Sequence, residues 1–431
     1  MRLYLRSLAQ FVQGLHWKAF MLRGVIVLLC LGLLWPQSAW AKDVPSTAPT
    51  PASTVKPYLD RVTEQVTEFK LKNGLKFIVL ERHQAPVISF LTYADVGGAN
   101  EPEGQTGAAH FLEHLAFKGT RQIGTRNYAA ERPLLDRLDQ IFVQQRQTQK
   151  TGNAGQVTTQ QSEFEQVETE AQKLVIQNEM GQIVNRAGGV GLNATTSADA
   201  TQYFYSFPSN KLELWMSLES ERFLEPVFRE FYKEKEVILE ERRMRTDNSP
   251  MGKMVEVFLE KAFTVHPYGR PVIGSAQDLQ NLSRPDVEAF FQTYYGPNNL
   301  TMVVVGDVNP AEVQRLANLY FGRYPAKSAP PKVSAVEPPQ REERTVTLSL
   351  PSQPFYLEGY HRPALNHPDS VIYDLIASLM TDGRTSRLYQ SLVERQQVAL
   401  AVDGLNGFPG DKYPNLMLFY GLTAPGHSVD E

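Results

Sequence analysis

Apolar positions along this chain change their period several times, and the changes mark its elements. The folded part opens on Phe69-Lys-Leu-Lys-Asn73-Gly74-Leu-Lys-Phe-Ile-Val-Leu80. There Asn-Gly sits between two apolar-rich runs, the strongest short-range hairpin signal. A further strand is predicted over residues 87–96, ending at Gly97-Gly98, and a polar loop over 99–106 leads into a helix. Residues 128–187 read as helical and charged. Leu134, Leu138 and Ile141 recur at helical spacing before a break near residues 151–155, and Phe164, Val167, Ala171 and Leu174 after it. That pattern predicts an antiparallel helical hairpin, a structural insertion rather than a binding device.

After the glycine-rich stretch 188–191, residues 201–207 alternate as a strand, and helices are expected over 211–224 and 231–247. Ser283 with Asp286 three residues on forms a capping box for a helix reaching Tyr294. The continuous apolar run 300–306 reads as a buried strand. Residues 326–343, rich in Pro, Ala, Ser and Glu, mark a linker. Beyond it, strands near 346–350 and 355–360 precede a helix from about Ser370, loosely repeating the strand-then-helix order of the first half. The expected fold class is α+β, with two related α/β domains, each an antiparallel-rich sheet with helices on one side. The first spans 58–325 with its insertion at about 128–187, and the second, 344–431, is expected to be incomplete.

Composition adds exclusions. A hydrophobic share of 42% and a charged share of 21% are ordinary for a globular protein. A net charge of −4 over 431 residues, without a basic stripe, gives no reason to expect a nucleic-acid partner. At the N-terminus Arg2, Arg6, Lys18 and Arg23 precede an apolar run over 25–35, followed by Ala39-Trp40-Ala41. This describes a signal peptide over residues 1–41 and export to the periplasm; the run falls far short of the roughly 20 residues a membrane span needs, so no stable span is expected after cleavage. Translation from Met21 would leave a signal of ordinary proportions. Residues 42–57 read as a flexible linker. Cys30, the only cysteine, lies in the apolar run, so the mature chain is left without disulfides, thiolate ligands or a cysteine nucleophile. The stretch 188–191 does not open a phosphate loop, since G-x-x-x-x-G-K-[ST] is lacking.

The chemistry gathers on Ala109-His110-Phe-Leu-Glu113-His114. Residues three and four apart share a helical face, so both imidazoles can aim at one metal ion with Glu113 beside them. A metal with an open position activates water, and a neighbouring carboxylate can move its proton. Such a pattern arises by chance in roughly one chain in a hundred of this length, so it needs support. The helix bearing Glu234 and Glu241 supplies it: seven residues apart, the two lie on one face, one suited as third ligand and the other to orient a histidine.

His110 to Thr120 resembles the inverted zinc motif of the insulinase/pitrilysin family. The likeness continues through Asn193-Ala-Thr-Thr, the Glu234/Glu241 helix, His266-Pro-Tyr-Gly269 and Tyr295-Gly-Pro-Asn-Asn299. It implies one zinc ion held by His110, His114 and Glu241, Glu113 as general base and Glu234 as supporting acid. It also implies an extended peptide substrate paired with the strand at Asn193 and Ala194, and a structural loop at His266. The helical hairpin resembles an insertion found in a bacterial subgroup. In the second domain, active members carry an Arg and, seven positions on, a Tyr that bind substrate; Val393 and Leu400 stand at those places. The expected enzyme is therefore a zinc metalloendopeptidase acting on unfolded peptides, as the metal-bearing subunit of a pair whose sister subunit supplies the Arg and Tyr. The competing reading is a non-catalytic structural or peptide-binding subunit.

Overall fold

A computed structural model describes residues 63–152 and 154–431. The signal peptide, the Met21 start, Cys30 and the 42–57 linker lie outside the described residues. Among the described residues, no helix is long and apolar enough to cross a membrane.

The Asn-Gly hairpin forms as expected. β1 (Val66–Lys70) pairs antiparallel with β2 (Lys76–Glu81), with Phe69 opposite Phe77 and Gly74 at φ 97 in the turn. β3 (Val87–Ala94) follows, then helix α1 (Ala108–Leu115). The helical hairpin is present as α2 (Tyr128–Thr151) and α3 (Ala154–Gln172), broken at Gly152, and α4 (Glu179–Arg186) follows. β4 (Val190–Thr196) and β5 (Thr201–Pro208) lead into α5 (Leu212–Leu224). α6 (Phe231–Arg242) runs on through a π-helical turn, Arg243–Asp247. The pattern reading does not anticipate α7 (Pro250–Ala262) or α8 (Ala276–Asn281). α9 (Arg284–Tyr294) starts at Ser283 with both hydrogen bonds of its capping box made. β6 (Leu300–Gly306) and α10 (Pro310–Phe321), the latter also unanticipated, complete the first half.

Six strands form one mixed sheet in the order β1-β2-β6-β3-β5-β4. The apolar run of β6 sits inside it, parallel to β2 and antiparallel to β3. On β3, Ile88, Phe90, Thr92 and Ala94 are buried while Val87 and Ser89 are exposed. On β5, Thr201, Tyr203, Tyr205 and Phe207 are buried in the same alternation. One face is thus covered by helices: Trp215 of α5 stacks on Phe90 at 4.3 Å, and Phe321 of α10 meets Phe77 edge-on. Among the described residues, β4 closes one margin of the sheet, pairing with β5 on one side only.

The C-terminal half carries β7 (Phe355–Arg362), α11 (Ser370–Thr381), β8 (Ala399–Phe408) and β9 (Asn415–Thr423), with a sheet order β7-β9-β8. The strand expected at 346–350 does not form. Its alternating pattern is locally suitable, but a strand needs a ladder partner, and this segment pairs with neither sheet. The Pro-rich segment before it is tied down at Glu337, whose carboxylate accepts backbone N–H bonds from Thr264, Val265 and His266 at 2.8–2.9 Å.

Candidate metal centre

Helix α1 begins without a polar capping side chain. Gly107 holds its N-cap at φ 93, a left-handed conformation that glycine adopts without strain, and an added Cβ would lie 2.8 Å from the Ile273 carbonyl oxygen. Buried Glu101 accepts hydrogen bonds from the N–H groups of Gly107 (2.9 Å) and Ala109 (2.8 Å), satisfying donors that a helix start leaves open. Burial pushes the Glu101 carboxyl up to about 8, against the opposing pull of those two bonds.

One turn inside α1, the rings of His110 and His114 stand with centroids 4.7 Å apart. α6 packs against α1 and presents Glu241, whose Oε2 lies 3.7 Å from His110 Nε2 and 3.4 Å from His114 Nε2. Its other oxygen is held by Arg245, one turn further on, at 2.9 Å. Among the described residues, these three side chains are the one group of His, Cys, Asp and Glu placed to hold a metal ion, with ligand atoms within 4.8 Å of one another. A tetrahedral zinc ion with bonds of about 2.0–2.2 Å spaces its ligand atoms roughly 3.3–3.6 Å apart, so the donor set fits zinc in kind, and the two Glu241 distances lie near that spacing. Burial drives the His110 pKa down to about 3, with the His114 and Arg245 charges adding to it. The imidazole is therefore neutral near pH 7, which is the form that ligates.

Glu234 lies two turns before Glu241 and does not join that group. Its Oε1 is 3.0 Å from His114 Nδ1, an arrangement that leaves His114 Nε2 facing Glu241. Lys118 Nζ sits 2.5 Å from the other Glu234 oxygen. Burial raises the Glu234 carboxyl, but the bonds to His114 and Lys118 outweigh it and hold it at about 2. His110 lacks such a brace; its Nδ1 is buried without a hydrogen bond among the described residues.

Glu113 shares the side of α1 that carries His110 and His114. Its carboxylate accepts a hydrogen bond from the Thr196 hydroxyl at the end of β4, and burial raises its pKa against that bond and the His114 charge. With His114 and Asn193 it lines an open cavity of about 400 Å³. Asn193 and Ala194 lie on β4, the margin strand, whose outer side carries no other strand among the described residues. His266 stands outside the metal group: its ring accepts the Tyr268 N–H at 3.2 Å. Val393 lies in a π-helical turn, Tyr389–Arg395, and Leu400 on β8 is 51% exposed.

Four residues of this site are not anticipated from the sequence. Arg245 carries a readable signal, standing one turn after Glu241 on the same helical face. Lys118 and Thr196 fall inside the quoted motifs, but their partners come from other elements. Glu101 sits in a polar loop with no distinguishing pattern.

Known proteins resemble this chain along most of its described length. The family model described as insulinase, peptidase family M16, matches residues 77–135 and 177–276, and the one described as the peptidase M16 inactive domain matches residues 281–431. The zinc protease PqqE of Helicobacter pylori is 32% identical over 338 residues, covering 76% of this chain and 64% of that protein. The chain thus spans a little under two thirds of that relative. The crystal structure of a protease from Helicobacter pylori superposes with a TM-score of 0.68 at 28% identity, covering 84% of this chain and 76% of the other. A peptidase M16 inactive domain from Pseudomonas fluorescens, 15% identical, shares the fold with a TM-score of 0.64 over 83% of this chain and 74% of that one.

Proposed function

The chain belongs to the insulinase/pitrilysin family of M16 peptidases, and from that premise we propose that it is a zinc metalloendopeptidase acting on extended or unfolded peptides in the periplasm. The observation that carries this reading is the convergence of His110 Nε2, His114 Nε2 and Glu241 Oε2, with Glu113 beside them and outside the ligand set. His110, His114 and Glu241 would hold the ion. Bound there, zinc would polarise the scissile carbonyl and make an attacking water more acidic.

The remaining work falls to the chain itself. Glu113 takes the proton of the water and passes it to the leaving nitrogen. Its raised pKa suits a group that must hold that proton between the two steps, and the Thr196 hydroxyl fixes the carboxylate's orientation. Glu234 keeps His114 in one tautomer, and Lys118 balances the Glu234 charge. The free side of β4, at Asn193 and Ala194, receives the backbone of an extended peptide as an added strand.

The substrate-binding Arg and Tyr have Val393 and Leu400 in their places, so a sister subunit supplies them. The second reading, a non-catalytic peptide-binding or structural subunit, draws on the match of residues 281–431 to an inactive-domain model. Glu113→Gln separates the two. The variant is expected to retain zinc by metal analysis while peptide cleavage falls by roughly 10²–10⁴-fold; unchanged hydrolysis would overturn the mechanism. Full cleavage by the isolated chain would remove the need for the sister subunit.

A further inference from the structure

Part of the wall of the cavity beside Glu113 and His114 lies in the stretch that the family model leaves unmatched. Val175, Ile176, Gln177 and Asn178 line it, immediately after helix α3 of the inserted hairpin. The insulinase-family match stops at residue 135 and resumes at 177. Val175 and Ile176 therefore belong to chain outside the family pattern, yet they face the same space as the general base and the margin strand.

This wall is rigidly mounted. Val175 bridges Thr125, Leu174 O accepts the Arg126 N–H at 2.7 Å, and the Ile176 N–H reaches Gly124 O at 3.0 Å. The Gly124 N–H in turn binds the Glu179 carboxylate at 2.5 Å. The partner segment is fixed from behind by the fully buried Arg229, which binds the carbonyls of Thr120 (2.6 Å) and Ile123 (3.0 Å) and the carboxylate of Glu131 on α2 (2.9 Å). The hairpin thus serves as the footing of the wall and not as a freely moving appendage.

The chemistry of the lining points to one kind of guest. Phe117, Val175 and Ile176 make an apolar side. The Lys118 ammonium is engaged by Glu234 at 2.5 Å and stands 3.6 Å from Glu230, and Glu230 also accepts from Gln177 at 2.7 Å. Lys233 stands 3.1 Å from Glu230 as a second cation, so both carboxylates are paired and a charged guest would have to break pairs already made.

We propose that Val175 and Ile176 are specificity-determining residues, forming a subsite for an uncharged side chain with an apolar body next to the cleaved bond of an extended peptide. The proposal rests on the peptidase reading above, and its test keeps the two apart. Peptides varied at the positions flanking one cleavable bond are offered to the zinc-loaded full-length chain, together with any partner subunit that copurifies. Cleavage is followed as kcat and KM, and binding separately by fluorescence anisotropy. Ile176→Ala and Val175→Ala are expected to reduce the preference for bulky apolar over small side chains by about tenfold, mainly through KM, with zinc content unchanged. Val175→Lys is expected to turn the preference towards acidic side chains.

Substrate ranking is the readout that a merely structural role would not move. An unchanged ranking in all three folded variants overturns the wall. Binding ranked as expected without cleavage in any form supports the wall and overturns the peptidase reading. Loss of all peptide binding in the zinc-loaded wild type overturns both.

Discussion

Helices α5 and α11 each present an apolar face, yet only one of them is closed over. Trp215 on α5 is fully buried against Phe90 and Phe321. On α11, Val371 is 73% exposed, Leu375 58% and Leu379 55%. The C-terminal half finds part of its burial against the first half. Leu416 and Leu418 of β9 pack with Leu259 of α7, with Phe263 just beyond its end and with Tyr268, all from the first half. Asp199, in the turn between β4 and β5, adds a polar seam: it accepts bonds from Tyr268 Oη (2.6 Å) and from the N–H groups of Asp411 (2.6 Å) and Lys412 (3.0 Å). The contrast teaches that the first half owns its core, whereas the C-terminal half leans on its neighbour. An amphipathic helix states that a face must be covered, and only packing decides by what.

Substitutions can break or sharpen that contrast, and the largest effect is expected in the closed core. Trp215→Ala removes a large side chain from between sheet and helices and should cost about 3–5 kcal/mol of unfolding free energy in denaturant titration. A loss below 1 kcal/mol would mean that the first half is not the stable partner. Asp199→Ala should cost about 1–3 kcal/mol, since three donors lose their acceptor. Limited proteolysis of that variant should cut the C-terminal half before the first, and uniform cutting would contradict the seam.

Glu101 offers a pH-dependent test confined to the first half. Its folded-state pKa, about 8, lies above the ordinary carboxylate value of 4.5. The folded state therefore holds the proton over a range where the unfolded chain has released it. The stabilisation is fully present below about 4.5 and is lost as pH rises towards 8. Glu101→Gln should flatten the fall of stability across that window. A slope identical to wild type would show that the carboxyl is not the group titrating. The smallest effect belongs to the uncovered face: Leu375→Ser should change stability by no more than about 0.5 kcal/mol. A larger loss would show that something covers α11 in solution.

Much of the candidate metal group was legible because it is local. His110, Glu113 and His114 share one turn of helix, and Glu234 and Glu241 share one face of another. What remained hidden depends on distant partners. Thr196 reaches Glu113 only because β4 lies beside α1, and Glu101 meets Gly107 and Ala109 only because its loop is buried under the helix start. The strand expected at residues 346–350 failed for a related reason, since alternation describes one strand and a ladder needs two.

The sequence by itself determined the helical and strand periods, the Asn-Gly hairpin, the capping box at Ser283 and the donor types of the candidate metal group. These follow from bonds and faces within a few residues of one another. The tertiary structure alone decided which glutamate meets both histidines, which one braces His114, and that the inserted hairpin returns to the cavity at Val175 and Ile176. Those outcomes depend on how helices α1 and α6 pack against each other and on where the sheet ends. Such relations are set by burial across long stretches of chain, which no local period encodes.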